Sequence, residues 1–558
     1  MGAMRGDSVE VTLPDAERAI GPGRLRLWIA SAVVAVAVGA AHGRAVTADF
    51  VAFDDDQYVY QNEHVQQGLA PGPVAWAFQL DHRETYFQPL TWLSLMLDRS
   101  VLGPAPWGFH LVNVLLHALV AILLLVVLAR TTGGIWAPLG AALLFGVHPL
   151  TVEAVAWVTE RKTVLSAVLG MGAVLAYTRH AERPSPRRMA AVAVLAFASL
   201  LAKPSLVFLP LLLLVLDVWP LRRIDLAKKP RAAPALALAV EKWPIALAAT
   251  VVLALALASD RGFRTTGPAE SMSLRVANAI VSIPRYAWKA AWPADLSVFH
   301  LFPEHVPMAE TVAAASAIAA LTAIAVAAAR RWPFGLAGWA WFVISLGPAL
   351  GLRQNGLWPA WADRFAYFPL MGLAIAASFA AEALARRGAL ARRLAAGSVT
   401  AAVVTLAGAT YVQGAHWKDS VALFSRGAAL EPGSYAMNAG LAGALADAGR
   451  LEEAIPPFEA ALRIYPTSAR ARVRYAEVLA ALGRPAEAAA ELEEALQLDP
   501  GNLGALVMSA RLAVVLGDPG RARVRWRAVL ELAPLAPDYD EVRREALQWY
   551  AGAPAGPR

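Results

Sequence analysis

Apolar runs recur along the first three quarters of the chain, and nothing else in the sequence constrains the fold as much. Crossing the ~30 Å hydrocarbon core of a bilayer takes about 20 largely apolar residues as a helix, because lipid satisfies no backbone N–H or C=O. Runs of this kind lie at 27–45, 109–130, 135–157, 163–178, 188–202, 204–220, 243–259, 309–329, 334–352, 365–384 and 394–412. They predict an all-α fold, a polytopic membrane helix bundle of about eleven spans, over residues 27–412. Composition agrees: 58% hydrophobic and 17% charged residues in 558 are too apolar for a water-soluble globule. The absence of cysteine excludes disulfides, thiolate nucleophiles and Cys-ligated metals. A net charge of +7 does not require a nucleic-acid partner, because Arg and Lys gather at the ends of the apolar runs, where insertion topology accounts for them.

Residues 1–26 read as a cytoplasmic leader before the first anchor. With that start, Arg130, Arg179, Arg183, Arg187, Arg188, Arg222, Arg223, Lys228, Lys229, Arg330, Arg331, Arg386, Arg387, Arg392 and Arg393 fall on the cytoplasmic side. The loops 46–108 and 260–308 then lie outside, together with everything after residue 412. Within the second loop, Ser273–Trp292 carries Arg275, Pro284, Arg285 and Lys289 and is expected as an amphipathic helix on the outer surface. A twelfth span there would move the C-terminal domain to the cytoplasm.

From Asp419 the chain turns polar and periodic. Gly449, Gly483 and Gly517, Ala454, Ala488 and Ala522, and Pro432, Pro466, Pro500 and Pro534 all recur at one interval of 34 residues. Ala442, Ala476 and Ala510 join this register, with Phe458, Leu492 and Trp526 at the position that packs on the next helix. The pattern resembles tetratricopeptide (TPR) repeats, in which small residues let paired helices cross closely. It predicts a partial repeat over 413–432, a soluble TPR α-solenoid of three repeats over 433–534, and a capping helix with a tail over 535–558. Such a solenoid binds a peptide or partner protein, or acts as a spacer.

Polar residues in an apolar chain are the functional candidates. Asp54, Asp55 and Asp56 stand in succession in the first outer loop. They are a solvated acid cluster, or a general base with a neighbour that orients it or holds a divalent cation, Mg or Mn, at Asp54 and Asp56. His110, Asn113 and His117 share one helix face. Pro149 after His148 must break its helix at membrane depth, and Glu153 follows within the same run. Arg161, Lys162 and Lys203 would bring positive charge to the outer face, suited to a lipid-linked phosphate, or would pair with acids such as Glu153. Asp363 and Arg364 form a last outer pair.

Taken in order, Phe53-Asp-Asp-Asp-Gln-Tyr-Val, Gln88-Pro-Leu-Thr, Phe109-His with Asn113 and His117, His148-Pro with Glu153-Ala-Val-Ala-Trp, Arg161-Lys162, Ala202-Lys203-Pro204, Asp363-Arg364-Phe-Ala-Tyr and the repeats resemble a known family. These are the bacterial transmembrane and tetratricopeptide-repeat-containing proteins, a protein O-mannosyltransferase-like branch of the GT-C glycosyltransferases. The resemblance implies a GT-C-like bundle in the bacterial cytoplasmic (inner) membrane, with the repeats on the non-cytoplasmic side. It implies transfer of a sugar from a polyprenyl-phosphate donor to Ser/Thr hydroxyls of a protein held by the TPR array. Carried over by position, Asp55 would be the base with Asp54 or Asp56 as its partner, and Arg161, Lys162, Lys203 and Arg364 would hold the phosphate. His110, His148, Glu153 and Asp363 would support them. Pro204 departs from the polar residue that many relatives carry after the lysine. The rival reading is a non-catalytic, membrane-anchored TPR scaffold for envelope assembly.

Overall fold

The computed structural model describes residues 23–80, 87–226, 232–259, 271–352, 359–533 and 539–552. The leader to residue 22, Tyr86, Lys228, Lys229, Pro534 and the tail from 553 lie outside the described residues. The chain divides into two compact units, Met1–Asp419 and Ser420–Arg558. Among the described residues both are helical, with no strand beyond one bridge pairing His300 with Trp361.

Every one of the eleven apolar runs contains a helix. Six are long and apolar enough to cross a membrane alone: Arg24–Thr47, Pro106–Thr132, Val158–Glu182, Met308–Ala328, Asp363–Ala385 and Ala389–Trp417. Two more are bent pairs, Trp136–Gly146 with Pro149–Ala156 and Ala235–Glu241 with Trp243–Ala256. The other three, Pro186–Ala202, Leu209–Val218 and Pro333–Leu346, are shorter, so length and composition support six to eight spans where eleven were expected. Proline accounts for where these helices stop: it has no N–H and disfavours helical backbone in the residue before it, and Pro204, Pro220 and Pro348 each stand two residues past the end of one of them. Helix Met272–Ala291 is 20 residues long but, with Arg275, Arg285 and Lys289, is not among the helices apolar enough to cross a membrane. It turns a polar face inward, where Asn278 Nδ2 donates to Ala360 O at 3.0 Å and Tyr286 Oη donates to Ala362 O at 3.1 Å.

The break at His148-Pro149 frees carbonyls, and buried side chains reach them. His117 Nε2 lies 3.0 Å and His42 Nε2 3.2 Å from Gly146 O, while Thr410 Oγ1 donates to Val147 O at 2.7 Å. Backbone polar groups at membrane depth are thereby satisfied within the protein. Helices Pro333–Leu346 and Tyr367–Ala385 cross where Gly338 and Gly372 abut, a contact that a Cβ on either would block.

One end of the bundle gathers Arg130 against Glu182 at 3.3 Å and Arg330 Nε against Leu226 O at 3.3 Å. A buried polar knot lies nearby on the Arg161–Glu182 helix. Tyr177 Oη donates to both oxygens of Asp217 at 2.7 and 2.9 Å, Lys242 Nζ reaches Asp217 Oδ2 at 2.6 Å, and Arg223 Nη2 reaches Glu241 Oε2 at 2.7 Å.

In the second unit, helices Tyr435–Asp447, Ala469–Ala481 and Leu503–Val515 alternate with Leu451–Ile464, Pro485–Leu498 and Pro519–Leu532. Ala442, Ala454, Ala476, Ala488, Ala510 and Ala522 are completely buried at the crossings, and Phe458, Leu492 and Trp526 fill the spaces between pairs. The hairpin turns need left-handed backbone, and Gly449, Gly483 and Gly517 supply φ of 74°, 74° and 71°. A further 34-residue series was not read from the sequence: Ser434, Ser468 and Asn502 cap the first helix of each pair by accepting from the N–H three residues on. Helix Asp540–Gly552 buries Ala546 against the last pair.

Candidate functional site

The acidic triplet separates into three environments. Asp55 is fully buried and accepts three hydrogen bonds, from Val51 N at 3.0 Å, Thr159 N at 2.9 Å and Thr159 Oγ1 at 2.6 Å. It clamps the first loop to the turn before the Arg161–Glu182 helix. Burial pushes its carboxyl up to about 7, with the three donors opposing the rise. Asp56 is half-buried at the start of the short helix Asp56–Tyr60.

Asp54 differs from both. Its backbone is left-handed, φ 73°, a conformation that aspartate tolerates better than most residues. Strained residues of this kind collect at functional sites. Its carboxylate takes part in no hydrogen bond or ion pair among the described residues. Burial raises its pKa above the ordinary value, while Lys162 and then Arg364 act on it electrostatically in the opposite sense.

Those cations belong to one cluster built around Glu160. Lys203 Nζ reaches Glu160 Oε2 at 2.9 Å and Thr163 Oγ1 at 2.7 Å. Lys162 Nζ stands 3.7 Å and Arg364 Nε 3.9 Å from Glu160 Oε1. Lys162 also lies over the rings of Tyr58 and Trp157, at 4.7 and 5.5 Å, and Tyr58 N donates to Asp54 O at 2.9 Å. Burial beside like charges lowers Lys203 to about 8 despite Glu160. Glu153 further fixes Arg364 by accepting from its side-chain Nη1 at 2.5 Å through Oε1 and from its backbone N at 2.7 Å through Oε2. Carboxylates and cations drawn from four distant parts of the chain therefore meet at one place. An acid without a partner among the described residues stands within electrostatic reach of cations that other acids hold.

Four of the residues read from the sequence sit elsewhere. Arg161 leaves the cation group: it pairs with Asp98 at 2.7 Å and donates to Ser94 Oγ at 2.8 Å, Phe109 O at 2.8 Å and Asn113 Oδ1. Successive helix residues point about 100° apart, so Arg161 and Lys162 cannot face one ligand. His110 meets Asp49 O at 3.3 Å, and His148 caps its own turn and reaches Ala290 O at 3.0 Å. Asp363 accepts from Ser297 N at 2.9 Å. Glu153 pairs with Arg364, and Glu160, which carried no assigned role, is the hub; a carboxylate amid Arg161, Lys162 and Thr163 was its only sequence signal.

A divalent cation at Asp54 and Asp56 fits this setting poorly. Lys162 and Arg364 already place positive charge on Asp54, and among the described residues no three His, Asp or Glu side chains gather as metal ligands.

Comparison with known proteins adds independent findings. Residues 445–493 and 479–546 match the tetratricopeptide repeat family, so the second unit is a TPR array. The chain is 41% identical over 140 residues to the protein O-mannosyl-transferase Tmtc2 of Drosophila melanogaster, covering 24% of this chain and 15% of that protein. It is 32% identical over 170 residues to TMTC1 of Mus musculus, 28% of this chain and 17% of that one. Against human TMTC4 it is 31% identical over 172 residues, 27% and 23%. The chain thus matches less than a quarter of the length of these curated relatives. Among solved structures, ArnT from Cupriavidus metallidurans bound to undecaprenyl phosphate aligns over 84% of this chain and 80% of that one, at 16% identity and a TM-score of 0.35. The TPR domain of P58(IPK) aligns over 70% and 99%, at 14% identity and a TM-score of 0.21. Superpositions this loose carry no argument about the site.

Proposed function

We propose that this chain is an integral-membrane glycosyltransferase that moves a sugar, mannose by analogy with its named relatives, from a polyprenyl-phosphate donor to Ser/Thr hydroxyls of proteins. One observation carries the reading: Asp54, half-buried and without a hydrogen-bond partner among the described residues, stands within electrostatic reach of Lys162 and Arg364, which Glu160 joins to Lys203. Sugar transfer from a phosphate needs both halves of this arrangement. A base must take the proton of the attacking hydroxyl, and positive charge must receive the electron pair left on the phosphate. Asp54 takes the first role in place of Asp55, whose oxygens are already occupied.

The acceptor oxygen attacks the anomeric carbon as its proton passes to Asp54. The bond from that carbon to the phosphate oxygen breaks, and the phosphate leaves with the electron pair and one added negative charge. Lys162, Lys203 and Arg364 stabilise that charge, their side chains already oriented by Glu160 and Glu153. A single displacement inverts the anomeric centre. We further assign the site and the TPR array to the non-cytoplasmic face, with the array holding the acceptor polypeptide.

The test is reconstitution. Purified chain in nanodiscs, given undecaprenyl-phosphate mannose and a Ser/Thr-rich peptide, should yield mannosylated peptide of inverted anomeric configuration. Retained configuration would overturn the single-displacement mechanism, and no transfer to any hydroxyl acceptor would overturn the enzymatic reading.

A further inference from the structure

Lys162 is held differently from the other cations of the cluster. Lys203 Nζ donates to Glu160 Oε2 and Thr163 Oγ1, and Arg364 Nη1 donates to Glu153 Oε1 and Val298 O. Lys162 Nζ donates to no acceptor among the described residues: Glu160 Oε1, the acid oxygen it pairs with, stands 3.7 Å away, beyond hydrogen-bond reach. Two aromatic rings flank the ammonium instead, Tyr58 with its centroid at 4.7 Å and Trp157 at 5.5 Å. A ring face attracts an ammonium through its quadrupole without supplying a lone pair, so the three N–H donors remain for the oxygens of a ligand. The side chain keeps 10% of its surface exposed.

Both rings are themselves fixed. Trp157 is the extended residue that closes helix Val152–Ala156, and its buried indole packs on Phe53 at 5.0 Å and Trp417 at 6.0 Å. Its Nε1 has no acceptor among the described residues, so its neighbours use the face of the ring and not the N–H. The guanidinium of Arg364 also lies over this ring, at 5.4 Å, so one indole serves two like charges. Tyr58 stacks on Trp92 at 4.6 Å, its Oη accepts from Gln88 Nε2 at 3.0 Å, and its N donates to Asp54 O at 2.9 Å. The loop that bears the base and the cation that receives the leaving charge therefore share one ring. Resting on the phosphate-binding part of the reading above, we propose that Tyr58 and Trp157 are positioning residues, an aromatic cradle that presents the Lys162 ammonium to the donor's phosphate. Trp157 seats Arg364 beside it. Neither ring touches the substrate; each acts through a cation.

The probe is undecaprenyl phosphate, titrated against the folded full chain in nanodiscs. Trp157→Leu, which takes the ring face from two cations, should weaken binding about thirtyfold, and Trp157→Phe, which restores a smaller ring, should recover all but about threefold. Tyr58→Leu, which affects Lys162 alone, should weaken binding about fivefold, and it carries the test should Trp157→Leu fail to fold. A double-mutant cycle separates positioning from packing. In a Lys162→Met chain, Tyr58→Leu should cost less than about twofold and Trp157→Leu about fivefold, the share of Arg364. The same losses with and without the Lys162 ammonium, or a Trp157→Phe chain as weak as Trp157→Leu, would overturn the cradle while leaving phosphate binding standing. A wild type that does not bind undecaprenyl phosphate defeats the glycosyl-transfer reading, and the cradle with it.

Discussion

Helix Arg161–Glu182 bears a polar cluster near each end, about 22 Å apart by the rise from Lys162 to Tyr177, and the two are assembled differently. At the far end Tyr177, Asp217, Arg223, Glu241 and Lys242 are mutually paired, each acid bound by a cation at 2.6 or 2.7 Å. At the near end Lys162, Lys203 and Arg364 are held by acids, but Asp54 has no partner among the described residues and its neighbour Asp55 accepts three hydrogen bonds. A closed knot of charge locks helices together and has nothing left for a ligand. A cluster with one partner missing carries a binding free energy that a ligand can claim. That contrast is the physical reason for assigning chemistry to one end only.

The comparison can be broken most forcefully at the closed end. Asp217→Asn leaves Lys242 buried beside a neutral group, and removing one member of a buried pair costs about 3–5 kcal/mol. The melting temperature in detergent should fall by several degrees while kcat of the folded fraction holds.

Asp55 sharpens the near end. Its pKa in the folded chain, about 7, lies above that of the unfolded chain, so the folded state binds the proton more tightly. Stability should therefore fall as pH rises from about 4 to about 7. Asp55→Asn should flatten that slope, as melting temperatures across the window would show. A similar slope in the variant would remove Asp55 from the clamp.

Lys203 tests the donor side through pH. Below about 8 its ammonium is charged and can hold a phosphate; above that value it is neutral. The kcat/KM for donor should decline as pH passes about 8, and Lys203→Met should show a low, flat profile there. The smallest effect belongs to the solenoid, where Ser468→Ala removes one helix cap and should cost about 1 kcal/mol in denaturant unfolding without altering transfer to a short peptide.

How much of this was legible in the sequence depends on the range of the interaction. The 34-residue register, with Ala442, Ala454 and Gly449 at its start, could be read because each contact lies within one repeat or its neighbour. The apolar runs gave helices at the right places, but where prolines ended or divided them fewer helices are long and apolar enough to cross a membrane alone. In the site, Lys162, Lys203, Arg364 and the acidic loop stood out as charges that a membrane segment does not carry idly. What could not be read was their pairing. Arg161 looked like a twin of Lys162, yet its partner Asp98 sits on a helix whose sequence gave no sign of it. Arg223 stands at a helix exit like a topology marker, yet its guanidinium closes the far knot. The choice among Asp54, Asp55 and Asp56 rested on Thr159 and Val51, which reach Asp55 by hydrogen bonds that no motif encodes.

The crossed pair of substitutions at the two ends of the helix tests the central claim most directly. Mannosyl transfer and melting temperature would be measured on Asp54→Asn and Asp217→Asn side by side, asparagine being a residue that tolerates the left-handed backbone at position 54. Asp54→Asn should lower kcat by about 10²–10⁴ with the melting temperature unchanged, as removal of a general base does. Asp217→Asn should do the reverse. Full transfer by Asp54→Asn, at wild-type rate and with wild-type melting, would contradict the account.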